Sequence, residues 1–444
     1  MASNAEQMAR NMNVGAFKKA TELQKRIWFT LGALIVYRLG TYIPLPGING
    51  GALQDLFQQN AGGLLGMFDM FTGGALSRMT IFALNIMPYI SASIIMQLMT
   101  SISPTLGAMK KEGPSGSKKI NQYTRYLTVL ITVMQAYGIS VGLEAMSSGV
   151  VQEGGWFFRF TTVVTLTGGT MFLMWLGEQI TQRGVGNGIS LIIFAGIVAN
   201  LPSAIAGTLE LGRTGALSTI FIIGLLAMAV AVVFLIVFVE RAQRRIIVQY
   251  PKRQQGNKMS GGESSHLPLK INTAGVIPPI FAGSILGLPV TILGFSAAGT
   301  GPEWITTLTA LMGRGQPAYL IIYVLMIVFF AFFYTAVVFN PQDTADNLKK
   351  HGGFVPGIRP GKNTSDYLDK VLTRLTVIGA AYLASICLLP EILMSKYSVP
   401  FYFGGTSLLI VVTVTMDTVA QIQSHMLAHQ YEGLIKKAKL RGRN

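Results

Sequence analysis

Ten stretches of predominantly apolar residues punctuate this chain, near 25–44, 79–101, 124–143, 157–177, 187–206, 217–239, 273–294, 317–339, 371–392 and 401–423. A helix needs about 20 such residues to cross the hydrocarbon core of a bilayer. Lipid offers no hydrogen-bond partners, so a spanning segment must satisfy its backbone internally, as a helix does. Pro202 interrupts the fifth stretch, and Pro278, Pro279 and Pro289 interrupt the seventh. Composition agrees with a membrane class: 50% of residues are hydrophobic and 12% charged, against about 25% charged in a soluble domain. So few charges cannot cover a soluble surface, and much of the exterior is expected to face lipid.

The cations set orientation. Of the 35 Lys and Arg residues, all but Arg38, Arg78, Arg159, Arg213, Arg314 and Lys396 fall at the termini, in the loops near 102–123, 178–186, 240–272 and 340–370, or at the adjoining helix ends. Short basic loops stay cytoplasmic, so both termini are expected there. The net charge of +16 then reads mainly as a topology signal. Residues 1–26 are polar and basic, and the first apolar run lacks a small-residue cleavage site, so that run reads as a retained span.

No enzyme is expected. Cys387 is the single cysteine and supports neither an intrachain disulfide nor a metal site. His425 and His429 are four apart, but Met426 stands where a zinc protease carries its glutamate. Gly357 and Gly361-Lys362 are one residue too close for a phosphate loop, and Asn363 replaces the Ser or Thr that would hold magnesium. No nucleophile–base constellation, metal or cofactor is expected, so any energy for transport must come from a partner or a gradient.

The chain repeats itself. NIMPYISASII at 85–95 aligns without gaps with GVIPPIFAGSI at 275–285, matching Pro88 with Pro278, Ile90 with Ile280, Ala92 with Ala282 and Ile95 with Ile285. GISLII at 188–193 aligns with GTSLLI at 405–410, matching Gly188 with Gly405 and Ile193 with Ile410. Both pairs are five spans apart. Five is odd, so the second half enters the bilayer upside down, an inverted repeat of the kind transport proteins use. Prolines within the second and seventh spans are expected to kink those helices and free carbonyls. Such helices suit either a cavity wall or an ordinary kinked position in a bundle. The stretch 61–77 is apolar but only about half the length needed to span. It reads as a re-entrant helix between glycine hinges or as an interfacial helix.

These same residues carry a family resemblance. MFTGGALSRMTIFALNIMPYISASIIMQLM, MFLMWLGEQITQRGVGNGIS, FNPQDTADNLKKHGGFVPGIRPGK and VPFYFGGTSLLIVV closely resemble the SecY family, the central subunit of the bacterial protein-secretion channel. The resemblance runs from about Lys25 to Lys437. It implies an all-α membrane fold of ten helices in two inverted halves, 25–206 and 207–423, between a cytoplasmic segment 1–24 and a basic cytoplasmic tail 424–444. It also implies an hourglass pore whose waist is an isoleucine ring of Ile86, Ile90, Ile189, Ile193, Ile280 and Ile410. A narrow apolar ring resists wetting and blocks ions, while lacking hydrogen-bond preference for any passing side chain.

The family's plug matches about 64–74, with Leu64, Leu65, Met67, Phe68, Met70 and Phe71 as its apolar face; Asp69 is a departure within it. Its lateral gate matches the second and seventh spans, with Met87, Ser91, Ile94, Ile277, Phe281 and Ser284 on the facing surfaces. Its docking surface matches loops 240–272 and 340–370, where Arg359 is the main candidate and Lys252, Arg253, Lys349 and Lys350 add positive potential. Implied partners are the SecA motor, the ribosome, the small subunits SecE and SecG, signal sequences and unfolded polypeptides, lipids, and SecDF and YidC as further candidates. The implied location is the bacterial inner membrane. Two rivals differ in kind. A coupled secondary transporter would place charges at mid-membrane, where this chain has isoleucines. An insertase or assembly scaffold would have no continuous pore.

Overall fold

The computed structural model describes residues 21–53, 69, 72–145, 149–215, 218–250, 253–255, 258–260, 264–286, 316–397 and 405–441. Each of the ten expected spans contains a helix. They are α1 (Thr21–Gly40), α2 (Met87–Ile102), α4 (Pro114–Ala145), α5 (Trp156–Arg183), α6 (Gly188–Arg213), α7 (Thr219–Arg241), α8 (Ile277–Leu286), α9 (Pro317–Val338), α11 (Lys362–Tyr397) and α12 (Gly405–Arg441). Two short helices, α3 (Pro104–Lys111) and α10 (Pro341–Lys350), lie between spans. Seven of the described helical segments are long and apolar enough to cross a membrane, and α2 and α8 are shorter apolar helices.

α2 and α8 correct the sequence expectation. The apolar stretches begin near 79 and 273, but the helices begin at Met87 and Ile277. Pro88 and Pro278 therefore stand in the first turn of their helices and kink nothing from within. A first-turn proline costs no hydrogen bond, because that N–H has no helical partner anyway. Ahead of α2 the chain runs in three-residue turns, with Asn85 N–H donating to Phe82 O at 2.9 Å and Met87 N–H to Leu84 O at 3.3 Å. Asn85 has φ 50° and Gly275 has φ 62°. These two residues are partners in the sequence repeat. The left-handed region strains most side chains, and Gly and Asn are the residues that enter it routinely. The first bonds into the helices also correspond, from Ile90 N–H to Ile86 O and from Ile280 N–H to Val276 O.

The other repeat pair behaves alike. A Cβ on Gly188 would lie 2.0 Å from the carbonyl oxygen of Gly177 in α5, and one on Gly405 would lie 1.8 Å from that of Ile386 in α11. Each glycine lets a helix start press against the backbone of the preceding span. Small residues serve this purpose in membranes, where close packing replaces the hydrophobic drive between helices.

Among the described residues, three large apolar clusters fill most of the spans. One belongs to the first half around Leu76, Leu143 and Leu166, and one to the second half around Tyr323, Leu383 and Leu409. The third draws from both halves, including Ile86, Leu173 and Ile192 with Phe330 and Val414. The loop between α5 and α6 also joins the halves: Val185 N–H donates to Thr30 Oγ1 at 3.0 Å and Gly186 N–H to Gln421 Oε1 at 2.9 Å.

The loop read as 240–272 is a structured antiparallel hairpin. β1 (Gln243–Gln249) pairs with β4 (Ser264–Lys270), with Gln243 opposite Lys270 and Gln249 opposite Ser264. A smaller ladder, β2 (Arg253–Gln255) with β3 (Lys258–Ser260), lies at its far end. Ile246 and Val248 point inward, flanked by the exposed Arg245, Ile247 and Gln249, the alternation of a half-buried strand.

Candidate functional site

The six ring isoleucines each sit beside or within the first two turns of a helix. Ile86 is the N-cap residue of α2 and Ile90 follows one turn later. Ile189 and Ile193 open α6, Ile280 lies in the first turn of α8, and Ile410 in the second turn of α12. The repeat partners hold equal ranks, since Ile90 and Ile280 are each the fourth helical residue and Ile193 and Ile410 each the sixth. All six fall in the cluster shared by the two halves. Ile86, Ile90, Ile193 and Ile410 are buried, while Ile189 and Ile280 pack against them partly exposed. Relative exposure is 1% for Ile86 and 2% for Ile410, so the chain presents packed hydrocarbon there.

The gate candidates flank this cluster. Ile94 and Phe281 are buried in it, and Met87 and Ile277 pack on it. The Phe281 ring meets Phe330 and Tyr334 of α9 edge-on, with centroids 5.7 and 6.3 Å apart. Edge-to-face pairs of this kind add stability beyond their buried area, and they fasten α8 to α9. Ser91 and Ser284 are buried, but Ser91 Oγ donates to Met87 O at 3.1 Å and Ser284 Oγ to Ile280 O at 2.8 Å. Each hydroxyl is bonded within its own helix, which lessens its demand for an outside partner.

Two polar anchors hold the helix starts, and sequence reasoning missed both. Behind α8, Asn272 Nδ2 donates to the buried Glu240 Oε1 at 2.6 Å and to Gly275 O at 3.1 Å. Ahead of α2, the buried Tyr37 hydroxyl donates to Thr72 O at 3.3 Å, and its ring stacks on Phe82 with centroids 6.2 Å apart. Glu240 carried one available signal: it is the acidic residue at the end of the otherwise apolar α7.

The plug candidates Leu64, Leu65, Met67, Phe68, Met70 and Phe71 lie outside the described residues. Asp69 is described, and its role in the chain is local. Its Oδ1 accepts Ser77 N–H at 2.7 Å, and its carbonyl accepts Gly74 N–H at 3.0 Å and Thr72 Oγ1 at 2.9 Å.

The loops that carry the described docking candidates pack as one unit. Gln249 and Phe354 exchange backbone hydrogen bonds of 2.9 and 3.0 Å, joining the hairpin to the loop that follows α10. Beneath them Ile246, Leu269, Val355, Leu368 and Leu372 share a core. Arg359 is exposed in a turn bounded by Gly357 (φ 81°) and Gly361 (φ 105°), and its carbonyl accepts Thr364 Oγ1 at 2.9 Å. Lys349 and Lys350 are exposed in the last turn of α10. Arg253 is placed only as a backbone position in β2, and Lys252 lies outside the described residues.

Comparison with known proteins follows the same lines. The SecY family model matches residues 80–419. The protein translocase subunit SecY of Escherichia coli strain K12 is 57% identical over 423 residues, covering 95% of this chain and 96% of that protein. A solved structure from work on the SecY plug domain, said there to stabilise the closed translocation channel and maintain a membrane seal, superposes with a TM-score of 0.66 at 18% identity. It covers 91% of this chain and 92% of that one. Sec61 from a canine ribosome–channel complex of the endoplasmic reticulum superposes with a TM-score of 0.58 at 17% identity, over 91% and 92% of the two chains. These likenesses to solved structures establish the shared channel fold, and the near-full-length sequence identity establishes more: this multi-pass membrane chain belongs to the SecY family.

Proposed function

We propose that this chain is the pore subunit of a protein translocase in a bacterial inner membrane, with both termini cytoplasmic. Unfolded secretory polypeptides pass between the two halves, and transmembrane segments leave sideways between α2 and α8. The observation that carries this reading is the meeting of six isoleucines from four helices of both halves in one apolar cluster. A ring of smooth apolar side chains excludes water and ions yet can yield to any sequence. A segment rich in Leu, Ile, Phe and Val favours lipid by about 0.3–0.6 kcal/mol per residue, so partition through the gate needs no substrate pocket. Residues 64–74 act as the plug. The joined cytoplasmic loops, with Arg359 exposed at a turn, offer positive charge to a motor or to ribosomal RNA phosphates. SecE, SecG and SecA are the expected partners.

Reconstituted conductance tests the ring. Ile410→Asn or Ile280→Asn places an amide in the cluster, which is expected to raise resting ion leak and admit substrates with defective signals. Unchanged leak and unchanged selectivity would remove the ring from the mechanism. A persistently non-conducting pore after plug removal would favour an insertase. Arg359→Glu is expected to slow motor-driven export while membrane insertion of the channel stays normal, and normal export would discard Arg359 as an anchor.

A further inference from the structure

Two of the six cations that escape the cytoplasmic side converge on one carbonyl. Arg38 Nη1 in α1 donates to Gly73 O at 3.2 Å, and Arg78 Nη2 donates to the same oxygen at 3.1 Å. Arg78 Nε also donates to Gly74 O at 2.8 Å. The Tyr42 ring serves both guanidiniums, at 5.5 Å from Arg38 and 4.2 Å from Arg78, and its hydroxyl accepts from Arg38 Nη2 at 3.3 Å. Such stacking helps offset the repulsion between like charges. The neighbouring Thr72 carbonyl is the one held by Tyr37. Three consecutive carbonyls are thus bound by side chains of α1 or by Arg78.

The opposite side of this segment is equally constrained. Gly73 has φ 68°, and a Cβ there would lie 3.1 Å from Gly196 Cα in α6 and 2.7 Å from Arg38 Nη1. Asp69 closes the knot from upstream by accepting Ser77 N–H. Its carboxylate, unexplained as a feature of an apolar plug, accepts a backbone N–H eight residues further on and so closes this loop.

We infer that Arg38, Arg78 and Asp69 are positioning residues of the channel seal: they pin the chain leaving the plug between α1 and α6, and so set how firmly the resting pore stays closed. This inference rests on the reading of 64–74 as the plug. Charge-assisted hydrogen bonds exceed neutral ones in strength, so a two-state seal that loses them shifts measurably toward the open form.

The test is the resting ion conductance of the purified channel complex in planar bilayers. The Arg38→Ala/Arg78→Ala pair and Asp69→Ala are each expected to raise leak by about tenfold, the step that about 1.4 kcal/mol produces. Asp69→Asn keeps an acceptor oxygen and should stay near the parent. A chain lacking residues 64–68 is the comparator. Clamp variants in that background should add no further leak. If the deletion leaks and the clamp variants do not, the inference falls while the plug reading stands. If the deletion itself does not leak, the plug reading falls and takes the inference with it. Additive leak in the deletion background also overturns it, because the arginines would then act on the barrel as a whole. Should the double variant fail to accumulate, Gly73→Ala displaces the same segment with both charges retained; it must leak as well, or the clamp has no part in the seal.

Discussion

The starts of α2 and α8 show the same backbone made by different chemistry. Both helices begin two residues after a left-handed position, with a proline in the first turn, and both carry a ring isoleucine as their fourth residue. The anchors differ. The first half uses a stacked aromatic, Tyr37 on Phe82, with its hydroxyl on a backbone carbonyl. The second half uses a buried carboxylate and amide, Glu240 and Asn272. The left-handed position is Asn85 in one half and Gly275 in the other. What the repeat preserves between its halves is the path of the main chain into these two helices, and the side chains supporting that path have diverged.

The strongest test of that equivalence is to block both helix starts. Gly188→Val and Gly405→Val would drive Cβ into carbonyl oxygens of α5 and α11, and each should cost about 3 kcal/mol. Thermal unfolding in detergent would read this, and tolerance at one site alone would break the symmetry. Next in size is the carboxylate anchor. Glu240→Ala leaves the buried Asn272 amide short of a partner and should cost about 2 kcal/mol, whereas Glu240→Gln keeps an acceptor and should lose about half as much. Equal losses in the same melts would mean that the hydrogen bond to Asn272 is not what matters. The smallest effect sharpens the left-handed turn. Gly275 has open space around its missing Cβ, so Gly275→Ala reports backbone strain of about 1 kcal/mol. Gly275→Asn, imitating its repeat partner, should cost less than Gly275→Ala. The reverse order would show that Asn85 owes its conformation to other contacts.

Much of this architecture was legible in the sequence. The spans follow from length and apolarity; the six isoleucines of the shared cluster come from the family resemblance, and the repeat independently pairs Ile90 with Ile280 and Ile193 with Ile410. The helix starts were not legible, because a proline in an apolar run suits a kink and a first turn equally. The choice depended on Asn85 and Gly275 adopting positive φ, which only the fold imposes. Glu240 and Asn272 are 32 positions apart, and Arg38 meets Gly73 across 35. No local pattern pairs them. Arg38 and Arg78 were nonetheless visible as cations on the side that short basic loops avoid. The hairpin escaped notice because its alternation is brief and its many charges resemble a solvated loop.

The bridge between Gln249 and Phe354 has a mechanical consequence. An antiparallel ladder resists shear along its strands because many hydrogen bonds must break together. Load applied to the exposed Arg359 turn therefore enters the hairpin through that bridge and travels along β4 as along a stiff rod. Ile271 N–H is tied to Ala242 O at 3.1 Å, and only residues 271–276 separate β4 from α8. Whatever grips the tip thus holds one end of a short lever, and the other end is α8, the helix proposed above to border the sideways opening.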